Sequence, residues 1–350
     1  MRALTCLILT TVSFSIVSFL PERNVIDHKG TIQSEKIKWV KSATERYSPD
    51  SWYMLQCYDA LPEHIEAPAD DGMVVTTRKM AGTYDYLQGI TKTDLLASME
   101  TNVHEIAHGF FNLNVFKYVL DHDTTLNWEM VQGFIYISPS SSYFISCPKN
   151  ILFPSNELEQ VIPKDRRTFR FDQYICGNTS TQGQGVIGLL DEMHAYYLDS
   201  KYCFDMLEAF IEAEGSVEEG VYDWVERAQS TLSSFWEFDF YIKEYLLYMK
   251  DKYPSDYIEL INCRSFTDAY LAVRSAYASL ISQYEDKVGK QVGRINRAGK
   301  AEARISDGTL WINQRGSRYM QGTPLFAEAM KILRPVLESK RYDAILKDIF

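Results

Sequence analysis

From Thr91 to Phe111 the chain reads TKTDLLASMETNVHEIAHGFF, and no other stretch says as much about its architecture and chemistry. Thr91 with Asp94 three residues later has the form of a capping box, which predicts a helix from about Lys92 to Phe111. Leu96, Met99, Val103, Ile106 and Phe110 recur at steps of three and four, one apolar stripe on that helix. His104 and His108 fall well off the stripe, near Ala97 and Thr101 on the helical wheel. Histidines serving only the core would sit on the stripe. Four residues apart on a helix, the two imidazoles lie one above the other and can reach a single ion. Glu105, one residue after the first histidine, points to the side, where its carboxylate can meet a water instead of the metal.

Outward from this helix the pattern is helix-rich on both sides. Helical segments are expected at 35–45 and 51–61, then a polar break from Pro62 to Gly72, then a short strand at Met73–Thr77. Strand-like runs occupy 133–137, 143–147 and 168–171. From Gly185 onward the pattern predicts helices over 186–200, 204–213, 219–250, 255–262 and 266–287. A hairpin over 304–312 with Asp307-Gly308 as its turn interrupts them, and helices near 324–337 and 339–348 end the chain. The expected class is α+β, predominantly helical, with a small β-sheet near the motif and a helical C-terminal part.

Composition narrows the function. A hydrophobic content of 46% with 24% charged residues is that of a globular protein. The formal charge of −11 leaves no basic excess to neutralise phosphates, which argues against a nucleic-acid partner. Residues Ala3 to Phe19 are uncharged and mostly apolar behind Met1-Arg2, the form of a secretory signal or an N-terminal membrane anchor. An extracytoplasmic or secreted location is therefore expected. Five cysteines lie beyond that segment, at 57, 147, 176, 203 and 263. With no CxxC pair a cysteine zinc site is improbable, whereas one or two disulfides with a leftover thiol would suit an exported protein. No GxSxG elbow, phosphate loop or dinucleotide fingerprint is present.

The HEIAH helix resembles that of the zincin metallopeptidases. The metzincin branch needs glycine and histidine where this chain has Phe111 and Asn114, so it is excluded. The resemblance is to the gluzincins, which take a glutamate from a later helix as third ligand. Leu189–Tyr197 offers Asp191, Glu192 and His194. Val186, Leu190, Met193 and Tyr197 form its apolar stripe, with Gly188, Glu192, Ala195 and Asp199 opposite, where small residues let another helix approach. An acidic ligand followed three residues later by alanine matches the gluzincin pattern at Glu192 and Ala195, although Asp191 stands where thermolysin-like enzymes have asparagine. Glu192 is the favoured third ligand, with Asp191 and His194 as alternatives.

The resemblance implies a bound Zn2+, peptide or protein substrates, and hydrolysis with Glu105 as general base towards water. Tyr174, His194, Tyr196 and Tyr197 are candidates to stabilise the developing oxyanion, and Asp199 to orient a ligating histidine. The organisation it suggests is a signal or anchor at 1–20, a zincin-like catalytic region at 21–200, and a mainly helical region at 201–350 completing the cleft. The competing reading is a secreted, non-catalytic binding protein on the same zincin-like or helical scaffold.

Overall fold

The computed structural model describes residues 29–317 and 320–349. The apolar N-terminal segment at 1–20 lies outside them. Helix accounts for 66% of the structure and the strands form small antiparallel sheets, so the class is predominantly helical α+β.

Helices α1 (Lys29–Tyr47) and α2 (Pro49–Ala60) precede a two-stranded sheet of β1 (His64–Pro68) and β2 (Val74–Arg78). The first strand lies inside 62–72, where the sequence predicts a polar break. Its pairing, His64 opposite Arg78 through Pro68 opposite Val74, is made by backbone groups, so the prolines at its edges do not prevent it. Helix α3 (Lys92–Asp121) comes next, with the Thr91–Asp94 capping box fully formed. Its stripe from Leu96 to Phe110 is buried throughout. Each such side chain contributes about 1.5–3 kcal/mol, and a charge at Val103 would break the packing. α3 runs ten residues past the expected end because Val115 and Val119 bury against Ala67, Ala69 and Leu126, a second small apolar cluster under the first sheet.

The hairpin of β3 (Met130–Ser138) and β4 (Ser141–Pro148) packs on α3. A long connection then winds through short turns and α4 (Phe171–Tyr174) to α5 (Gly185–Asp205). The strand expected at 168–171 is not formed. Thr168 Oγ1 and the Arg170 backbone N–H both donate to Glu237, which turns this segment onto a later helix instead of into a sheet.

Almost all of α5 is buried, including Asp191, Glu192 and Asp199. It lies against α3 and against α7 (Val217–Lys252), which comes after the short α6 (Leu207–Glu214). Helices α8 (Pro254–Asn262) and α9 (Arg264–Ala298) lead to a three-stranded sheet of β5 (Ala301–Ser306), β6 (Thr309–Gln314) and β7 (Gln321–Pro324). Asp307 and Gly308 both have positive φ, the conformation a two-residue hairpin turn demands. Helices α10 (Glu328–Leu337) and α11 (Asp343–Ile349) close the fold. One hydrophobic core joins residues from Val40 to Ile349. Among the described residues, no helix is long and apolar enough to cross a membrane.

Candidate metal centre

Helices α3 and α5 cross so that the polar side of α3 faces a buried carboxylate on α5. His104 and His108 are half-buried there, and Glu192 is 5% exposed. The Nε2 atoms of the two histidines lie 3.3 Å apart. Glu192 Oε2 stands 3.4 Å from His108 Nε2 and 3.8 Å from His104 Nε2. A tetrahedral ion with bonds of ~2.0–2.1 Å needs its donor atoms roughly 3.3–3.4 Å apart, so these spacings suit a single small cation.

The opposite nitrogen of each ring explains why these faces converge. His104 Nδ1 meets Asp199 Oδ2 at 3.1 Å, and His108 Nδ1 meets Asp191 Oδ2 at 3.0 Å. An ionised aspartate accepts only, so the ring that faces one carries its proton on Nδ1 and turns the Nε2 lone pair to the centre. Two lone pairs and a carboxylate oxygen then face one another, and Glu192 Oε2 completes no hydrogen bond of its own. Such a cluster is repulsive unless a positive charge sits in it. The titration of the ligands obeys the same logic. Burial, then the charge of His108, lowers His104 to about 4. Burial also works against charge on His108, but Asp191 and Glu192 outweigh it and hold His108 well above its ordinary value. Burial opposes the charge of Glu192 as well, yet His108 and His104 leave its carboxyl below the usual range. In the absence of metal one proton, on His108, supplies the charge. The donor set of two imidazoles and one carboxylate fits zinc, and His104, His108 and Glu192 form a group able to hold a metal ion.

Glu192 is fixed from behind. Its Oε1 accepts from Thr181 Oγ1 at 3.1 Å, and Thr181 reaches it because of Gly188, one turn earlier on α5. A Cβ on Gly188 would lie 1.9 Å from the Thr181 carbonyl oxygen. The small residue on this face thus makes room for the preceding turn, and not for another helix as its place on the wheel suggests. Thr181 gives no signal in the sequence, since its access to Glu192 depends on a backbone approach.

The alternatives for the third ligand separate clearly. Asp191 faces the back of His108. His194 is fully buried, and its Nε2 lies 3.1 Å from the Tyr136 backbone N–H and 2.8 Å from the Tyr136 carbonyl, so it fastens the β3–β4 hairpin to α5. Burial lowers it to about 3, which keeps it neutral. Asp199 does face a histidine, as a ligand-orienting residue would.

Of the tyrosines, Tyr196 packs edge-on against His104 with ring centroids 4.5 Å apart, and its hydroxyl lies 3.0 Å from that of Tyr174. Burial raises the pKa of both, so both stay phenols able to donate a hydrogen bond. Tyr197 packs edge-on against Tyr277 instead. Arg170 carries no signal in the sequence. It is 4% exposed, sits 4.4 Å over the Tyr196 ring and pairs with Glu237, so it steadies the wall beside His104. Glu105 is half-buried and makes no hydrogen bond or ion pair among the described residues. A cavity of about 550 Å3 opens elsewhere on α3, lined by Phe110, Asn114 and Lys117, and none of His104, Glu105, His108 or Glu192 borders it.

No protein family, curated protein or solved structure matches this chain.

Proposed function

We propose that the chain is a zinc-dependent hydrolase of peptide bonds, gluzincin-like in its ligand set, with the metal held by His104, His108 and Glu192 and with Glu105 as general base. The observation that carries this reading is the convergence of two Nε2 lone pairs and one carboxylate oxygen, each imidazole pinned from behind by its own buried aspartate. Zinc, when bound, supplies Lewis acidity that brings the pKa of a water down towards about 7.

The protein's own part is to place charge and move a proton. Glu105 lies one residue from His104 on the same helix, and its carboxylate is left without a structural partner among the described residues. It is therefore free to take a proton from water and later pass it to a leaving amine. Tyr196, with Tyr174 behind it, offers a neutral hydroxyl group to a developing oxyanion on the His104 side. The segment after β2 is tied to α2 by Tyr58, which donates to the Ala81 carbonyl, and to α3 by the Asn102 side chain, which accepts from the Tyr86 backbone N–H. Burial, then the Glu105 carboxylate, raises the Tyr86 hydroxyl, which sets that side chain within electrostatic reach of Glu105. Peptide substrates are inferred from the resemblance of the motif.

The test is direct. Wild-type protein should carry about one zinc per chain by elemental analysis, and His108→Ala little. Glu105→Gln should keep its zinc and lose peptide hydrolysis by about 10²–10⁴-fold. Unchanged hydrolysis in Glu105→Gln overturns the assignment of the base, and no zinc in the wild type overturns the metal centre.

A further inference from the structure

Cys147 and Cys263 lie 116 residues apart in sequence, and their Sγ atoms lie 2.7 Å apart in the fold. Cys147 belongs to β4, opposite Val131 of β3, and is fully buried. Cys263 is half-buried and caps α9, a 35-residue helix, with its carbonyl accepting the N–H groups of Phe266 and Thr267. The approach does not depend on the sulfurs. Ser265 Oγ donates to the Ser146 carbonyl at 3.1 Å and accepts from the Ser146 backbone N–H at 3.1 Å, which ties the strand to the first turn of the helix. The neighbours on both sides thus hold the two thiols face to face. Among the described residues, no other pair of cysteine sulfurs is in contact.

We propose that Cys147 and Cys263 are a disulfide-forming pair that clips the β3–β4 hairpin to the start of α9, with Cys263 as the attacking thiolate and Cys147 as the buried partner. The placement assigns these roles. The N-terminus of a long helix presents unpaired N–H groups and a partial positive charge, which favour a thiolate at the cap. The Cys147 thiol, with Ser265 and the N–H groups of Phe266 and Ser265, outweighs burial and brings Cys263 down to about 6. Contact with Cys263, then burial, pushes the Cys147 thiol well up, so it stays protonated until Cys263 has reacted.

With a small-molecule disulfide as oxidant, the Cys263 thiolate attacks one of its sulfurs. That S–S bond breaks, one thiolate leaves, and Cys263 becomes a mixed disulfide. Cys147 then loses its proton to the medium and attacks the Cys263 sulfur, which releases the second small thiolate. Two electrons pass from the two cysteines to the oxidant, and one protein disulfide replaces one small-molecule disulfide. The hairpin it secures carries Tyr136, whose backbone meets His194 behind the metal centre. Neither the metal nor the hydrolysis enters this chemistry.

The experiment uses the full chain, reduced, freed of reductant, and treated with oxidised glutathione. The remaining thiols are blocked with N-ethylmaleimide before intact-mass and peptide mapping. The expected product has lost two hydrogen atoms and yields one digestion peptide pair joined through Cys147 and Cys263. Its melting temperature should exceed that of the reduced chain by about 5–10 °C, because the bond closes a loop of more than one hundred residues. In Cys147→Ser, Cys263 should retain one glutathione. Recovery of both Cys147 and Cys263 as blocked thiols from the wild type, or Cys263 joined to any other cysteine, overturns the pairing. Glutathione retained on Cys147 in Cys263→Ser as readily as on Cys263 in Cys147→Ser overturns the assignment of roles.

Discussion

Replacing Asp191 or Asp199 by asparagine should weaken zinc binding although neither residue reaches the ion. Each carboxylate accepts from one Nδ1, at 3.0 Å for Asp191 with His108 and 3.1 Å for Asp199 with His104. Losing such a partner costs about 10–100-fold in metal affinity, or roughly 1.4–2.7 kcal/mol. The two face different rings that share one site, so the double variant should lose more than either single variant and at most about 10⁴-fold. Asparagine has two ways to sit, and both cost. With its oxygen towards the imidazole, the ring keeps its tautomer but loses the full charge that made Nε2 a strong donor. With its amide towards the ring, Nδ1 must accept, the proton moves to Nε2, and that ligand is lost. The surroundings rank the two sites for stability as well. Asp191 Oδ1 is buried without a partner, so an amide group placed there is unsatisfied, at about 1–3 kcal/mol. Asp199 Oδ1 accepts from Ser200 Oγ at 3.3 Å, and that hydroxyl can turn to accept from an amide. Asp191→Asn should therefore be the less stable of the pair at similar zinc affinity. Competition against a chromophoric chelator at constant pH gives the affinities, and thermal melts with far-UV circular dichroism establish that the fold persists. Two folded single variants that bind zinc as the wild type does would refute the pinned-imidazole account of the site.

The same neighbourhood yields two more expected outcomes. Gly188→Ala places a Cβ 1.9 Å from the Thr181 carbonyl oxygen and must displace the turn that holds Glu192; it should lower the melting temperature and weaken zinc binding together, whereas Gly183→Ala, with open space around it, should change neither. His194 titrates near 3 in the fold because of burial, against about 6.5 unfolded, so its stabilisation is complete above pH 6.5 and is lost as pH falls towards 3. Between pH 7.5 and 5 chemical denaturation should show the wild type losing about 2 kcal/mol more than His194→Gln; parallel pH profiles would place a charged His194 in the native state.

The parts of this site that are legible in the sequence are those written within one helix. The capping box, the stripe and the spacing of His104 and His108 all depend on neighbours three or four residues away, so periodicity alone exposes them. The face of Glu192 on α5 is read from the stripe opposite it, whereas its choice over Asp191 and His194 comes from the resemblance to the gluzincin pattern. What sequence does not show is made by groups that meet only after folding. Asp191 reaches His108 across 83 residues, a contact the sequence does not show, whereas Asp199, expected to orient a histidine, meets His104 across 95. Thr181 reaches Glu192 through a glycine that looks, on the wheel, like room for a helix. The absent strand at 168–171 has the same cause: its β-like residues are claimed by Glu237, 67 residues on from Arg170, and a strand needs a backbone partner that this segment never meets. The cysteines are the extreme case, since spacing carries no information about which of them meet.

The distribution of buried charge argues that the α3–α5 contact is arranged around a cation rather than for packing alone. A helix pair selected only for stability gains by replacing buried ionisable groups with apolar ones of similar volume. Here Asp191, Glu192 and Asp199 all lie 5% exposed or less on one helix, facing two imidazoles. Burial raises both aspartates, and against it His108 favours the charged form of Asp191 while Arg170, Ser200 and Arg227 favour that of Asp199. Among these five groups the positive charge comes from the proton that Asp191 and Glu192 hold on His108. The nearby buried ion pair of Arg170 with Glu237 carries its own countercharge, and the guanidinium also favours the charge of Asp199. The proposed zinc between His104, His108 and Glu192 would take the place of the proton on His108 and answer the remaining carboxylate charge.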